Sequence, residues 1–508
     1  MIEKYNKVLV VGTGIMGTGI AQVCALAGLR VELLDAQPAA VERAMHSLRQ
    51  ALAVDVERGR VPAAAAEVAI QSIQAASPVA PIGPDTIVVE AIREDLLQKQ
   101  TLFQALEERA DPATILATNT SSLSVTAIAS ACRRPERIAG WHFFNPVPRM
   151  RLAEVINGVR TDTEVVKVLS DVTRQLGFRP VLAEDSPGFV VNHAGRAFVT
   201  EALQILEEGV AVPATVDAIL RETAGFRMGP FELLDLTGLD VSHPVMESIY
   251  RQFYEDGRYR PSPIARTRFQ AGLLGRKSGA GFYKYQQAPV ATIGATRAEA
   301  CPKPDSARIF FGASSGFVPE EIRAKILAVE GVSAADVPQH ADFCLVAPIG
   351  SDLAAAVDRE EFPPGTTIAV DGVFFSEKCV TLMASAATSP AAKALAERIF
   401  SAAGFSCHWI QDSVGFVAQR VVGMLIHLAC EIAQKGIAAP ADIDAAVRIA
   451  LGYPKGPFEW GNALGPATLL ALQKSMFELT GDSRYRPSQW LRRRVQLGLQ
   501  LDTAAALH

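Results

Sequence analysis

The sequence predicts an α/β protein whose plan runs twice. An α/β domain with an open, doubly wound sheet leads into an all-α domain. A degenerate, truncated α/β segment and a second all-α copy follow. Three observations predict this. Apolar strand-like runs alternate with helical stretches from residue 7 onward. The pattern turns wholly helical near Asp185. Finally, the chain repeats itself: "DSPGFVVN" at 185 returns as "DSVGFVAQ" at 412, and "GFRMGPFE" at 225 as "GYPKGPFE" at 452, both 227 residues later. "RYRPS" at 258 returns at 484, an offset of 226. Three matches at offsets within one residue of each other indicate duplication.

The elements follow in order. Val8–Val11 is a continuous apolar run, as expected of a parallel strand covered on both faces. Met16, Ile20, Val23 and Ala27 recur at helical spacing behind it. Further strands are predicted at Thr86–Glu90, Thr114–Thr118, Ile138–Phe143 and Leu152–Ile156. At Asp185 an Asp/Ser cap, Pro187 in the first turn and a stop at Gly209 frame a helix. "LGFRPVLAEDS" aligns with "AGFSCHWIQDS", so the second copy reaches back into a sheet, for which "ADFCLVAPI" and "TTIAVDG" supply two strands. The predicted boundaries are 1–186 for the first α/β domain, 187–286 for the first helical domain, 287–305 for a linker, 306–411 for the degenerate segment and 412–508 for the second helical domain.

Composition narrows the class. With 508 residues, 49% hydrophobic and 20% charged, the chain is an ordinary globular one of roughly three domains. A net charge of −5 with scattered basic residues gives no reason to expect nucleic acid, and Arg492–Arg494 reads as a solvated helix face. Seven widely spaced cysteines without a Cys-x-x-Cys argue against a disulfide framework or a zinc site. They favour a reducing compartment, hence the cytoplasm. The N-terminus is not a secretory signal. The uncharged stretch Val8–Leu29 contains glycines at 12, 14, 17, 19 and 28, and so reads as a buried strand and helix, not a membrane span.

Gly12, Gly14 and Gly17 form G-x-G-x-x-G directly after a strand and at a helix start, with Asp35 ending the next strand. That context marks a dinucleotide-binding (Rossmann) domain. The turn Gly12, Thr13, Gly14, Ile15, Met16, Gly17 lets the backbone approach a pyrophosphate, and the helix N-terminus offers free N–H groups. Asp35 suits both ribose hydroxyls and repels a 2′-phosphate, which favours NAD over NADP. The alternative is a glycine turn without a ligand.

Two further stretches carry candidate chemistry. "TILATNTSSLSV" places Asn119, Thr120, Ser121 and Ser122 just past a strand, where this fold binds ligands; a helix cap explains the same serines. "WHFFNPVPRM" ends an apolar run with His142, and "MRLAEVI" follows with a single acid, Glu154. A strand–turn–strand path would bring the two together, the carboxylate fixing the ring tautomer and stabilising an imidazolium. A satisfied core histidine beside an ordinary ion pair is the competing reading. Asn192 falls on the next helix, where a cap or a surface role is usual.

The motifs "VGTGIMGTGIA", "VVEAIREDLLQKQTLF", "NTSSL", "HFFNPVP" with "LAEVI", "DSPGFVVN", "GPFELLD" and "GRKSGAGFYKY" cover residues 5 to about 285 in order. Together they resemble the NAD-dependent L-3-hydroxyacyl-CoA dehydrogenases of fatty-acid and phenylacetate breakdown. The full layout is similar to the two-repeat bacterial members, which include 3-hydroxyadipyl-CoA and 3-hydroxybutyryl-CoA dehydrogenases. The resemblance implies oxidation of (S)-3-hydroxyacyl-CoA to 3-oxoacyl-CoA. It makes His142 the base and Glu154 its partner. Ser121 and Asn192 would contact the substrate oxygen or the nicotinamide region, and Glu94, Lys99, Asn145 and Lys277 the cofactor. Arg58 stands where a lysine is common near the CoA end, with Ala51 near a usual serine; Ser121 is a second substrate contact. "NPVPRMRL" departs from the commoner "NPVPVMKL" at Arg149 and Arg151, which either alter the pocket rim or are surface charge. No metal is implied.

The second copy lacks the chemistry. "FFGASSG" has the wrong glycine spacing, no "HFFNPVP" recurs, and at the offset of 227 Glu154 becomes Thr381 and Asn192 becomes Gln419. It is expected to be silent. Short members of the family pair through their helical domains, so the expectation is an internal pseudo-dimer in which helices of 412–508 pack on those of 187–286; further homo-oligomerisation stays open. Three rivals remain: a dehydrogenase of free 3-hydroxy acids, a non-catalytic NAD-binding regulator, and, for the second half only, a scaffold.

Overall fold

The computed structural model describes residues 5–285, 306–312 and 317–504. The linker expected over 287–305 lies outside them. The chain forms two compact units: Met1–His193 with Ile432–Leu451, and Ala194–Glu431 with Gly452–His508.

The first unit holds an eight-stranded sheet. Its strands are β1 (Lys7–Val11), β2 (Arg30–Leu34), β3 (Ile73–Ala75), β4 (Thr86–Glu90), β5 (Ile115–Thr118), β6 (Ile138–Phe143), β7 (Leu152–Asn157) and β8 (Arg179–Glu184), in the order β3-β2-β1-β4-β5-β6-β7-β8. Strands β4, β5 and β6 are buried throughout, which accounts for their unbroken apolar runs. One core layer joins Val8, Val10, Ile20, Val31, Trp141 and Leu169; the opposite face buries Leu9, Val88, Phe103 and Ile128. The sheet is parallel except that β7 runs against β6. The sequence reading missed the short edge strand β3, whose three residues carry too little pattern to stand out.

The other edge strand, β8, is covered by chain from the second copy. Glu184 N–H donates to Ile437 O at 2.9 Å, the helix Pro440–Ala450 packs on β7 and β8, and Arg179 pairs with Asp442 at 3.2 Å. Covering an edge removes unpaired backbone groups from solvent.

The second unit contains both sets of helices and the second sheet. Where the sequence pointed to two strands in the degenerate segment, six form: β9 (Ala307–Phe311), β10 (Val332–Ala334), β11 (Phe343–Val346), β12 (Thr367–Val370), β13 (Cys379–Ala384) and β14 (Ser406–Gln411), ordered β10-β9-β11-β12-β13-β14. The run β11 to β14 reproduces β5 to β8: parallel, antiparallel, parallel. β14 is covered as β8 is, with Gln411 N–H donating to Val210 O at 2.9 Å and the helix Pro213–Ala224 packed on β13 and β14.

Helices of the two copies meet inside this unit. The Arg420 guanidinium, 2% exposed, donates to Glu201 at 2.8 Å, to Glu208 and to the Tyr485 hydroxyl. Phe226 lies against Tyr453 and Trp460 at centroid separations of 5.1 and 5.2 Å. The two "RYRPS" stretches also touch, Arg260 pairing with Asp482 at 2.7 Å and Arg484 donating to Gly257 O at 3.4 Å. Like segments meeting like segments is the signature of a two-fold contact. Among the described residues no helix is long and apolar enough to cross a membrane.

Candidate active site

The site grows from the carboxyl ends of β1, β4, β5 and β6. Gly12 sits at φ +97°, and a Cβ there would come within 2.6 Å of Ala91 O. A Cβ on Gly17 would meet Gly12 O at 1.9 Å. These two glycines are therefore demanded by the turn itself. Gly14 differs, since a Cβ there would meet nothing within 4 Å. It stands as the N-cap of Ile15–Leu26 without a side-chain cap, so that helix end presents open N–H groups to free space. Asp35 closes the far side. Its Oδ2 accepts from Thr13 N–H and Thr13 Oγ1 at 2.8 and 2.9 Å, and its Oδ1 from Gln37 N–H at 3.0 Å. Desolvation pulls its carboxyl upward, but these hydrogen bonds outweigh it and hold Asp35 below the usual range. An uncapped helix end facing open space with a fixed carboxylate beside it fits the pyrophosphate and ribose of NAD.

Beyond β4 and β5 the site is built from buried charge. Glu90 Oε1 takes Lys99 Nζ at 2.5 Å, and both side chains are at most 1% exposed. Glu90 Oε2 accepts from Thr118 Oγ1 at 2.7 Å, and Lys99 also reaches Glu94 Oε2 at 3.3 Å. Glu94 Oε1 gathers the next loop: it accepts from Thr120 Oγ1 at 2.7 Å, Ser121 N–H at 2.9 Å, and Ser122 N–H and Oγ at 3.0 and 2.9 Å. Desolvation works against the ionised Glu94, yet Lys99 and these donors prevail and hold its pKa low. Lys99, 1% exposed, thus ties the end of β4 to the loop that Glu94 gathers.

His142 and Glu154 face each other across β6 and β7, where they are register partners. Nδ1 of His142 lies 2.6 Å from Glu154 Oε2. Glu154 is fully buried, and its Oε1 accepts from Val190 and Val191 N–H at 3.0 and 2.8 Å. A carboxylate held by two backbone donors fixes Nδ1 as the protonated nitrogen. Nε2 is left with a lone pair and has no hydrogen bond to another described residue. Phe144 and Phe189 flank the ring at 4.4 and 5.9 Å. Asn192 Nδ2 donates to Ser121 O at 3.4 Å, which joins those two predicted residues, and Asn119 Oδ1 accepts from Phe143 N–H at 2.8 Å next to His142.

Other predicted residues stand on loops and helix ends. Asn145 is exposed on the loop after β6. Lys277 belongs to the second unit and pairs with Asp240 at 2.6 Å. Arg58 is exposed at the C-cap of Pro38–Glu57 and does not line the cavity of about 910 Å³ beside that helix. Arg60, Arg149 and Arg151 do, together with Ser47, Gln50 and Pro146. Arg60, Ser47 and Glu90 were missed in the sequence. Glu90 could have been found, as the acid ending a buried strand in "IVVEAI".

The second copy keeps the frame of this site without its reagents. By the register of β12 and β13, Asp371 stands opposite Thr381 as His142 stands opposite Glu154, and Asp371 N–H donates to Thr381 O at 2.9 Å. Gln419, the counterpart of Asn192, donates to Asp371 Oδ1 at 2.9 Å and accepts from Gly350 N–H at 2.9 Å.

Comparison with known proteins agrees with this geometry. The family model for the NAD-binding domain of 3-hydroxyacyl-CoA dehydrogenase matches residues 7–186, and the model for the C-terminal domain matches twice, at 188–285 and 415–505. The chain is 36% identical to the 3-hydroxyadipyl-CoA dehydrogenase of Escherichia coli over 98% of its own length and 99% of that protein's. It is 38% identical to a probable 3-hydroxybutyryl-CoA dehydrogenase of Bacillus subtilis, covering 56% of this chain and 99% of that one. The crystal structure of 3-hydroxybutyryl-CoA dehydrogenase from E. coli K12 superposes with a TM-score of 0.84 at 36% identity, covering 97% of this chain and 98% of that one. An NAD-binding glycine turn, a histidine–carboxylate pair and these matches along the whole chain place the protein in the 3-hydroxyacyl-CoA dehydrogenase family, as an NAD-dependent oxidoreductase.

Proposed function

We propose that the chain oxidises (S)-3-hydroxyacyl-CoA to 3-oxoacyl-CoA, with His142 as general base, in fatty-acid or phenylacetate-type aromatic catabolism. The observation that carries this is the 2.6 Å contact of His142 Nδ1 with a buried carboxylate. With Nδ1 protonated, Nε2 takes the hydroxyl proton as the C3–H and O–H bonds give way to C=O. Glu154 stabilises the imidazolium that results. NAD⁺ on the glycine turn supplies the hydride acceptor. Ser121 and Asn192 form the polar wall of the reacting centre, and Glu94 fixes the loop that carries Ser121.

The cavity bordered by Arg60, Arg149 and Arg151 has the size and charge for the phosphates of CoA, and it continues from the loop that follows His142. This favours a thioester over a free 3-hydroxy acid. The relative named for 3-hydroxyadipyl-CoA makes a dicarboxylic acyl chain the first candidate, with Arg149 or Arg151 as counter-charge. Asn145 and Lys277 are proposed as further NAD contacts. The domains are read as 1–186 for NAD, 187–286 and 412–508 for an internal helical pseudo-dimer, and 306–411 as a silent sheet. Six free cysteines among the described residues suit a cytoplasmic enzyme.

The test is NADH formation over a panel of 3-hydroxyadipyl-, 3-hydroxybutyryl- and longer 3-hydroxyacyl-CoAs, their free acids and the (R)-epimers, with His142→Gln as control. Turnover of (S)-thioesters alone, lost in the variant, is expected. Equal turnover of free acids would remove the CoA assignment.

A further inference from the structure

Away from the dehydrogenase site, the seam between the helix Pro213–Ala224 and the strands β13 and β14 gathers three side chains of metal-binding type. Glu222 comes from the helix, Cys379 from β13 and His408 from β14. One donor atom of each lies within 4.8 Å of the others, and His408 Nε2 is 3.0 Å from Glu222 Oε2. Among the described residues this is the one group of three such donors that converges so closely. The strand register places Cys379 and His408 on the same face of the sheet, two residues apart along paired strands.

The duplication supplies a control for what the fold requires here. The corresponding seam in the first copy lies between β7, β8 and the helix Pro440–Ala450, and it has the same edge hydrogen bond. At the offset of 227, Cys379, His408 and Glu222 correspond to Leu152, Val181 and Ile449. All three are apolar, Leu152 and Val181 fully buried and Ile449 36% exposed. Packing therefore asks for no thiol, imidazole or carboxylate at these positions, yet the second seam has one of each, drawn from three separate elements.

Their exposure suits an ion. Cys379 is 2% exposed, the His408 side chain 14% and the Glu222 side chain 42%, so the donors lead from a dry interior to solvent. Thiolate and carboxylate together balance the charge of a dication, leaving a neutral centre in a low-dielectric seam. We propose that Glu222 Oε2, Cys379 Sγ and His408 Nε2 bind one zinc-type divalent ion, with water as the fourth ligand, clamping the first helical domain to the second sheet.

Sulfur, imidazole and carboxylate in a four-coordinate set select Zn²⁺ over Mg²⁺ or Ca²⁺. Tetrahedral bonds of about 2.0–2.3 Å require donor pairs roughly 3.5 Å apart, so the three side chains, within 4.8 Å of one another without an ion, close in on it. Binding releases the Cys379 proton to solvent, and the His408 ring takes the tautomer protonated at Nδ1, so one proton leaves per ion.

The test uses the full chain, free of any histidine tag and dialysed against a chelator. Zn²⁺ should then bind at one ion per chain by elemental analysis after desalting, and should raise the unfolding temperature. Co²⁺ should bind competitively with Zn²⁺ and give a thiolate-to-metal charge-transfer band. Cys379→Ser should abolish that band. His408→Gln should weaken Zn²⁺ binding by more than the roughly 10–100-fold that loss of an outer-shell partner costs. If Cys379→Ser does not fold, the affinity of His408→Gln decides alone. Wild-type protein that retains no stoichiometric ion, a Co²⁺ adduct without the band, or His408→Gln binding Zn²⁺ as tightly as wild type would each overturn the proposal.

Discussion

Glu154→Gln changes a single oxygen to NH₂, and the structure dictates how the amide must sit. Oε1 of Glu154 accepts two backbone N–H groups, from Val190 and Val191. Turning the NH₂ toward them would leave two buried donors unmet, at about 1–3 kcal/mol each. The glutamine oxygen therefore stays on the backbone, and the NH₂ faces His142 Nδ1. That nitrogen must then accept, so the ring proton moves to Nε2, which can no longer take a proton from substrate. The imidazolium also loses its carboxylate partner at 2.6 Å. Removal of a working general base costs about 10²–10⁴-fold in kcat, or roughly 3–5 kcal/mol. Steady-state NADH formation at saturating substrate reads kcat. A parallel NAD⁺ titration should show unchanged affinity, because the glycine turn and Asp35 do not touch Glu154. In combination with His142→Gln the losses should not add, since the two act as one unit. A folded variant with kcat within about threefold of wild type, or additive losses, would refute the reasoning.

Asp35→Ala removes a charged acceptor for the ribose and should raise the Kd for NAD⁺ about 10–100-fold, from roughly 1.5–3 kcal/mol for hydrogen bonds to a charged group; unaltered affinity in a fluorescence titration would disprove its role. Lys99→Met strands the buried Glu90 and should lower stability by about 3–5 kcal/mol in urea unfolding; a loss under 1 kcal/mol would mean that the pair is not the brace inferred here. Burial raises the Asp371 carboxyl to about 6, although hydrogen bonds from Gln419, Phe374 and Val373 oppose the shift. Its contribution to stability is therefore full below the unfolded value of 3.8 and is lost as pH rises through about 6. Asp371→Asn should accordingly be more stable than wild type at pH 8, by up to about 3 kcal/mol, with no gain at pH 4 and no change in turnover. Equal stability of the two proteins at pH 8 would count against this.

Much of this was legible in the residues, and the reasons are local. Gly12 and Gly17 announce themselves because a tight turn tolerates nothing else. His142 and Glu154 are separated by one turn, so a strand–turn–strand path suffices to pair them. What stayed hidden depends on long-range placement. The pairing of Lys99 with Glu90, nine residues earlier on a strand end, appears only once the fold brings the two side chains together. Arg60 and Arg149 share a cavity only through the fold, and the nearby Arg58 points elsewhere. The triad of Glu222, Cys379 and His408 has no sequence spacing at all, which is why counting cysteines argued against zinc.

The two copies separate what holds the fold from what reacts. Asp185 accepts from Ser124 Oγ and from Val125 and Thr126 N–H, fixing a helix start at the sheet; Asp412, 227 residues on, accepts from Leu353 and Ala354 N–H. Gly229 and Gly456 begin helices in the same way, each donating its N–H to a glutamate three residues on, Glu232 and Glu459. These positions satisfy backbone donors, and losing one would cost the fold directly. Asp371 likewise accepts from Val373 and Phe374 N–H, but its bond to Gln419 joins two positions at which the copies differ. Gln419 bridges Asp371 to Gly350 and fills the space where the first copy keeps Asn192 and its histidine. Oδ2 of Asp371 and Oγ1 of Thr381 remain buried without a hydrogen-bond partner, unlike the polar atoms that the shared positions satisfy. The buried contacts of Arg420 and Phe226 explain why the remainder persists: the second helical set covers apolar and charged surface that the first would otherwise present to water.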